Sequence, residues 1–503
     1  MTDIAGPLGG SPGLSIAVQP PRLGLRRQHW HWHWHGSTPA RVRGRALVAV
    51  VLAMAMATLT ASLFGRLHGE FGAMGQSDES ESIATTSLYF YLTDMDASGA
   101  DVLLVGSDAA LTTAGQPDNR YYTDLYASDR SNASEYLDQA VVAEAGNAAA
   151  EQQLNAVAAR LGQYEALIAD AELLSQQAHD SAGKPSASVS ADYNQATRLM
   201  QGDILPAVRN LTSSSESGLN ASYGAGKTNA ISGVIWVVVL GVLLVAVLAA
   251  VQVLLAIRFR RMVNPALAIA TVLATAFTAV TGTRFYAEYT HAHVARFDSF
   301  TSIQALSMAK AVSNDANADE SRFIVDPVHA LQYQQAYLGK SQQIVNVGSN
   351  VTYAKYLPLL NADIAAYQRN NSDIRFGGFL GQEFRNITVP GERQAAVNSL
   401  LSFRVYETDD RILRATTKTN LAQAIGYDIN VAPDDSDGAF NAYASALQSD
   451  ININTAAFAQ AVADGQSDAG GGFLAVEALA ALLIISLVYV GVRSRLAEYR
   501  VSR

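Results

Sequence analysis

The chain has 503 residues, of which 49% are hydrophobic and only 16% are charged. Soluble domains usually carry about 25% charged residues, so this composition favours a membrane protein. The net charge of −10 disfavours a nucleic-acid partner, and the absence of cysteine excludes disulfides, thiolate metal sites and a cysteine nucleophile.

The chain begins with residues 1–45, which we predict to be a disordered cytosolic tail containing the run HWHWHWH at 29–35. In an extended strand, the period of two would place the imidazoles on one side and the indoles on the other. Imidazole is a good ligand for zinc, nickel or copper. However, the flanks are rich in proline, glycine and arginine and offer no partner strand. We therefore expect the tryptophans to rest at the lipid interface, and we predict no metal site.

Four apolar stretches have the length of about 20 residues that a membrane-crossing helix requires. They are residues 46–64, 231–257, 262–283 and 473–492. The third is the most polar because it contains several threonines, whose hydroxyls can bond to the backbone of their own helix.

Arginines flank the predicted spans on one side only. They cluster in the tail before the first span, in the turn 258–264 and in the segment 493–503. By the positive-inside rule, these three segments are cytosolic, which places both termini in the cytosol. The segments 65–230 and 284–472 are then outside the cell. We predict a multi-pass protein of the plasma membrane.

The two large exterior segments are predicted to be helical. They are poor in proline and glycine, and apolar residues recur every three or four positions, as in 143–177, which predicts one amphipathic helix. Breaks are predicted at 114–119, 181–188, 345–350, 375–381 and 432–438, and they divide each segment into about four helices. The resulting fold class is an all-α membrane protein with four transmembrane helices and two extracytoplasmic helical bundles, the first a four-helix bundle.

The order of span, exterior segment and span occurs twice, which indicates an internal duplication in one chain. TDMDASGADVLLVG at 93–106 lies at an equivalent place to SNDANADESRFIVD at 313–326. In both, a polar stretch rich in Asp or Asn runs into an apolar quartet.

Three stretches beside the spans carry a resemblance to a known family. They are SLYFYLTDMDASGADVLLVG (87–106), YNQATRLMQGDILPAVRNL (193–211) and GVRSRLAEYR (491–500). With the two membrane-flanked exterior units, they resemble the actinobacterial four-span sensor family typified by GlnX. Its members resemble chemoreceptor-type four-helix-bundle sensors duplicated in one chain. The resemblance implies a receptor between an extracytoplasmic amino-acid-binding lipoprotein and a cytosolic Ser/Thr protein kinase.

Acidic residues recur at helical spacing on the first helix of each exterior segment. The candidate ligand or partner residues are Asp94, Asp96, Asp101 and Asp108 in the first segment and Asp315, Asp319 and Arg322 in the second. Residues three, four or seven apart share one helical face. Such a stripe, inside or between bundles, could receive a ligand's ammonium group or a partner's basic patch. The alternative is a solvated outer face.

The output of a receptor must leave through the cytosolic segments that are tied to the spans. The candidate relay residues are Arg258, Arg260, Arg261, Arg493, Arg495, Tyr499 and Arg500. Pro206 lies in the helix that leads to the second span, where it removes one backbone hydrogen bond and is predicted to kink the helix.

We predict that the protein is not an enzyme and uses no cofactor. The sequence has no Gly-rich phosphate loop, no His-x-x-x-His pair outside the N-terminal tail and no Gly-x-Ser-x-Gly turn. Besides a receptor, two functions stay open. One is the permease subunit of a four-span ATP-driven exporter. Such a permease needs cytosolic coupling helices to bind an ATPase, and the seven-residue turn 258–264 leaves little room for one. The other is a non-signalling cell-envelope scaffold.

Overall fold

The computed structural model describes residues 38–75, 79–106, 119–259, 264–433 and 435–501. Within these ranges the regular elements are helices, apart from two isolated β-bridges. The helices are α1 (Thr38–Ala73), α2 (Glu79–Val105), α3 (Asn119–Ala143), α4 (Ala148–Ala178), α5 (Ala187–Leu199), α6 (Leu205–Phe259), α7 (Pro265–His293), α8 (Thr301–Val325), α9 (Ala330–Ile344), α10 (Tyr353–Arg369), α11 (Gly378–Asn386), α12 (Glu392–Thr417), α13 (Leu421–Asp428), α14 (Ser436–Asp468) and α15 (Gly471–Val501). The prediction of an all-α membrane protein is confirmed.

Four helical stretches of the described chain are long and apolar enough to cross a membrane, as the sequence predicted. They contain the predicted spans in α1, α6 and α15 and residues 265–283 of the third predicted span in α7. The four spans pack on one another through an apolar cluster. Its members include Ala49, Leu248, Ala274 and Val488, one from each span.

Two of the spans continue outward without a break in the helix. A π-helical turn at Met200–Ile204 joins α5 to α6, and another at Val294–Phe300 joins α7 to α8. The resulting continuous helices are 71 and 61 residues long. At 1.5 Å per residue, each reaches from its predicted span far into the predicted exterior units.

The first exterior unit consists of α2 to α5 and the outer part of α6. Its core forms where buried apolar side chains recur at helical spacing, as Leu154, Leu161 and Ile168 do on α4. The predicted single helix over 143–177 is wrong at its start. A turn that includes Gly146, with a φ of 96°, ends α3 before α4 begins after the N-cap Asn147. Glycine adopts this left-handed conformation without steric cost.

The second exterior unit contains seven helices in the described residues, α8 to α14, and not about four. The sequence predicted the breaks before α10, α11 and α14. It missed those that surround Pro327 and Gly391, where the chain leaves helical geometry before α9 and α12. The core of this unit is rich in tyrosine and phenylalanine, and includes Tyr356, Phe403 and Tyr443.

The two exterior units meet along α2 and α8, which pack against each other. These are the first exterior helices of the two units, and they carry the similar stretches 93–106 and 313–326. That the units arose by duplication stays a prediction. Their contact places the two acidic stripes face to face.

Candidate sensory interface between the exterior units

The acidic stripes are buried at the contact between α2 and α8. Asp96 and Arg322 are 0% exposed, Asp319 is 2% exposed, and Asp315 and Asp101 are 6% and 7% exposed. A solvated outer face is therefore wrong for these five residues. The predicted polar stripe lies between the two units.

Arg322 of α8 is the centre of this interface. Its guanidinium donates through Nη2 to Asp96 of α2, through Nη1 to Asp319 at 2.9 Å, and through Nε to the hydroxyl of Tyr193 at 3.2 Å. An arginine taken out of water is tolerated when carboxylates and hydrogen bonds surround it in this way. Acceptors from both units share Arg322, so the ion pair with Asp96 joins the units.

Lys340 of α9 supplies a second buried cation. Its Nζ donates to Asp319 Oδ2 at 2.6 Å and lies 2.8 Å from Asp315 Oδ1. Burial alone would raise the pKa of Asp315, but the charges of Lys340 and Arg322 outweigh burial and lower that pKa. For Asp319 burial prevails, so its pKa is raised despite the same two cations.

Gln201 connects this network to the membrane. Its amide nitrogen donates to Asp315 at 2.6 Å and to Asp96 at 3.2 Å. Gln201 belongs to the π-helical turn that leads into α6 and the second span. π-Helical turns inside α-helices are frequent at functional sites. The buried network is therefore hydrogen-bonded directly to the continuous helix that contains the second predicted span.

A second buried cluster lies farther along α2 and α8. Ser321 donates to Asp101 Oδ1 at 2.6 Å, and Tyr122 donates to Asp437 Oδ2 at 3.2 Å. Burial raises the pKa of Asp101 to about 7 and raises the pKa of Asp428 well above its usual range. The described residues hold no group of three or more His, Asp or Glu arranged to bind a metal.

Asp94 stands apart from the Arg322 network. It is half-buried beside Asp129 of α3, and burial together with the charge of Asp129 raises the pKa of Asp94 to about 8. Asp108 lies outside the described residues. The structure thus brings four of the seven candidate residues into one network, places Asp101 in the neighbouring cluster and separates Asp94.

A solvent-open cavity of about 290 Å³ gives access to the network. Its walls include Gln201, Pro206, Arg209, Asp315 and Lys340. Arg209 is exposed at this cavity, where it donates to the hydroxyl of Tyr89 at 2.7 Å. The cavity therefore offers a guanidinium and a carboxylate to a small molecule.

Pro206 also lines this cavity, directly after the π-helical turn. α6 continues past it to Phe259. The kink predicted at this proline stays a prediction.

Sequence reasoning missed Gln201, Tyr193 and Lys340. Lys340 is the one charged residue of α9. A single lysine in an otherwise uncharged helix could have been recognised in the sequence as a candidate for a buried ion pair. Gln201 and Tyr193 occur in helices where neither residue type is unusual. Their partners are more than 100 positions away in the chain, so spacing could not reveal them.

The two predicted relay segments meet at the end of the spans that lies away from the exterior units. Asn264, just before α7, donates from Nδ2 to the carbonyl of Gly491 in α15 at 2.8 Å. Arg493 is exposed, with its guanidinium carbon 5.8 Å from the ring centroid of Tyr489. The remaining relay residues have side chains outside the described part of the chain. They are Arg258, Arg260, Arg261, Arg495, Tyr499 and Arg500.

Part of the chain matches a known family of domains. Residues 70–224 match the model of the actinobacterial sensor domain. This sensor domain spans α2 to α5 and the outer part of α6, so it contains Asp96, Gln201 and Arg209. It indicates a sensor role. Arg322 and Lys340 lie beyond it, in the second exterior unit, and contact it through the buried network. No curated protein and no solved structure matches the chain.

Proposed function

We propose that the protein is a membrane receptor that relays the availability of amino acids outside the cell to a cytosolic partner such as a Ser/Thr protein kinase. Sensing is direct or passes through an amino-acid-binding lipoprotein, and both termini lie in the cytosol. The observation that carries the proposal is the buried pair of Arg322 and Asp96, which joins the sensor domain to the second exterior unit. A buried ion pair that can be rearranged is suited to a two-state interface.

The cavity beside this pair supports an amino acid as the signal. An α-amino acid carries one carboxylate and one ammonium group. Arg209 suits the carboxylate because its planar guanidinium can bond both oxygens. Asp315 suits the ammonium, since its pKa is lowered and it stays ionised. An ammonium at Asp315 would compete with Gln201 and Lys340 for the same carboxylate.

The continuity of the helices supports the proposed relay. Loosening of Gln201 from Asp315 frees the π-helical turn at the top of the helix that contains the second span. Small shifts of packed helices are a common means of transmembrane signalling. The bond between Asn264 and Gly491 would then pass the shift to α15.

Direct sensing is tested by calorimetric titration of amino acids into the full chain in lipid nanodiscs. Arg209→Gln should weaken binding about tenfold or more, because it removes a charged hydrogen-bond donor. Arg198→Gln is the matched control, as this arginine is also exposed on the same continuous helix but does not line the cavity. Equal affinities for the two variants would contradict direct sensing at this cavity.

The relay through a lipoprotein is tested by capture from native membranes with and without added amino acids. We expect recovery of an amino-acid-binding lipoprotein, and of kinase activity that depends on the added amino acid. If neither direct binding nor either partner is found, the receptor proposal fails.

A further inference from the structure

A second cavity, of about 270 Å³, lies between the exterior units on the membrane side of the Arg322 network. Its walls come from α2 and α3 of the first unit and from α8 and α14 of the second, with Phe300 at the end of the π-helical turn below α8. A molecule in this cavity would therefore contact both units and a helix that continues into the membrane.

The walls of this cavity are largely apolar and aromatic. Phe90, Tyr136 and Ile303 line it, and Tyr136 stacks on Tyr91 with ring centroids 5.0 Å apart. Polar side chains also line it, among them Ser87, Gln304 and Ser307. Ligand sites of this kind combine a hydrophobic body with a few polar groups that fix orientation.

One cation faces the cavity. Lys310 of α8 is half-buried, its Nζ lies 4.2 Å from the ring centroid of Phe90, and it donates to Gln448 Oε1 at 2.9 Å. Among the described residues, no carboxylate forms an ion pair with it. The nearest acid that acts on it is Asp94. Burial and Asp129 raise the pKa of Asp94 to about 8, which weakens the attraction between that group and Lys310.

A partly desolvated ammonium without an anionic partner is unusual, since such charges are normally paired. The lining of the cavity contains no Asp or Glu. The cavity can therefore bind the anionic group of a ligand through Lys310. It offers no carboxylate to a positively charged group on the same ligand. This differs from the cavity at Arg209 and Asp315, which offers both signs of charge.

We propose that the cavity at Lys310 binds a small amphipathic monocarboxylate, with its carboxylate on Lys310 and its apolar body between Phe90, Tyr136 and Ile303. The site is separate from the amino-acid cavity and goes beyond the proposed function. Its occupant bridges the two units and is a second chemical input to the same interface.

The test uses 3-phenylpropionate as the probe and the full chain in nanodiscs. Saturation-transfer NMR and calorimetry compare it with 3-phenylpropionamide, which has nearly the same shape without the charge. Wild-type protein should bind the acid about tenfold or more tightly than the amide, because a charged hydrogen bond is lost in the amide. Neither measurement depends on a variant, so misfolding cannot explain the result.

Variants then locate the site. Lys310→Gln should remove the preference for the acid, whereas Lys355→Gln, at an exposed position of α10, should keep it. Ser307→Trp should fill the cavity and abolish binding of both probes.

Three results would overturn the proposal. The first is equal binding of acid and amide to the wild type. The second is undiminished binding to Ser307→Trp. The third is tighter binding of L-phenylalanine than of 3-phenylpropionate to the Arg209→Gln variant, whose amino-acid cavity is disabled, because that would assign the Lys310 site to amino acids. None of these results bears on amino-acid binding at Arg209.

Discussion

Because Arg322 is buried, the stability of the interface depends strongly on the single side chains that pair with it. Its charge is balanced by Asp96 from one unit and Asp319 from the other. Removing one member of a buried ion pair is far more damaging than removing an exposed one, because the remaining charge keeps its desolvation penalty.

Asp96→Asn should therefore destabilise the exterior part by about 3 kcal/mol. Asp203→Asn is the control, since Asp203 forms an exposed pair with Arg160 at 3.8 Å and should change stability by less than about 1 kcal/mol. Urea unfolding followed by circular dichroism measures both. Similar losses of stability in the two variants would argue against a buried, joining role for Asp96.

Asp94 and Asp129 are neighbouring acids, and from them we expect the stability of the fold to decrease as pH rises. An ordinary salt bridge has the opposite effect. In the folded protein, burial and the neighbouring acid raise the pKa of Asp94 to about 8. The folded state thus binds a proton more tightly than the unfolded state, and the resulting stability is lost as pH rises from about 4 to about 8.

Asp94→Asn should remove part of this dependence, so the stability of the variant should fall less than that of the wild type between pH 5 and pH 8. Asp170→Asn, at an exposed position of α4, should leave the dependence unchanged. Urea midpoints at the two pH values measure the effect. An equal change in stability between the two pH values for the wild type and Asp94→Asn would contradict the raised pKa.

At the scale of the helices, what could be predicted depended on local signals. The helical type of α4 followed from the spacing of Leu154 and Leu161, and its true start depended on the single turn at Gly146. The π-helical turns left no such pattern, because a one-residue widening does not change the apolar periodicity enough to be recognised.

Pro206 provides a test of the turn at Met200–Ile204. A proline cannot donate a backbone hydrogen bond, and the turn before it lets Leu205 donate to Met200 with wider spacing. Pro206→Ala restores the donor and should favour regular α-helix. That change would rotate Gln201 away from Asp315.

We expect slower hydrogen exchange around Leu205 in this variant, together with a weaker response to the bound ligand. Pro358→Ala is the matched control, since Pro358 is also inside a helix, α10, that has no π-helical turn. If exchange around Leu205 is as fast as in the wild type, Pro206 does not maintain the turn.

For the whole molecule, hydropathy was sufficient to predict the four spans, because crossing a membrane depends on the composition of each segment alone. The packing of α2 on α8 was not predictable in the same way. It joins residues more than 200 positions apart, such as Asp96 and Arg322. The acidic spacing on each helix was visible, but whether the stripe faced water or a partner depended on that distant contact.

The bond between Asn264 and Gly491 offers the sharpest test of relay through the whole molecule. It is buried and joins the segment between the second and third spans to the end of the fourth. Asn264→Ala removes the only described side-chain bond between these segments and should cost about 1 kcal/mol, which is too little to unfold the membrane bundle.

Ser494→Ala is its natural control, because Ser494 donates to the same Gly491 carbonyl at 3.2 Å but from within α15. We expect Asn264→Ala to bind the external ligand with unchanged affinity and to lose most of the ligand-dependent kinase activity recovered with it. Ser494→Ala should retain both. If Asn264→Ala keeps the full cytosolic response, the bond between Asn264 and Gly491 does not carry the relay, and the apolar packing of the four spans on one another is left to do so.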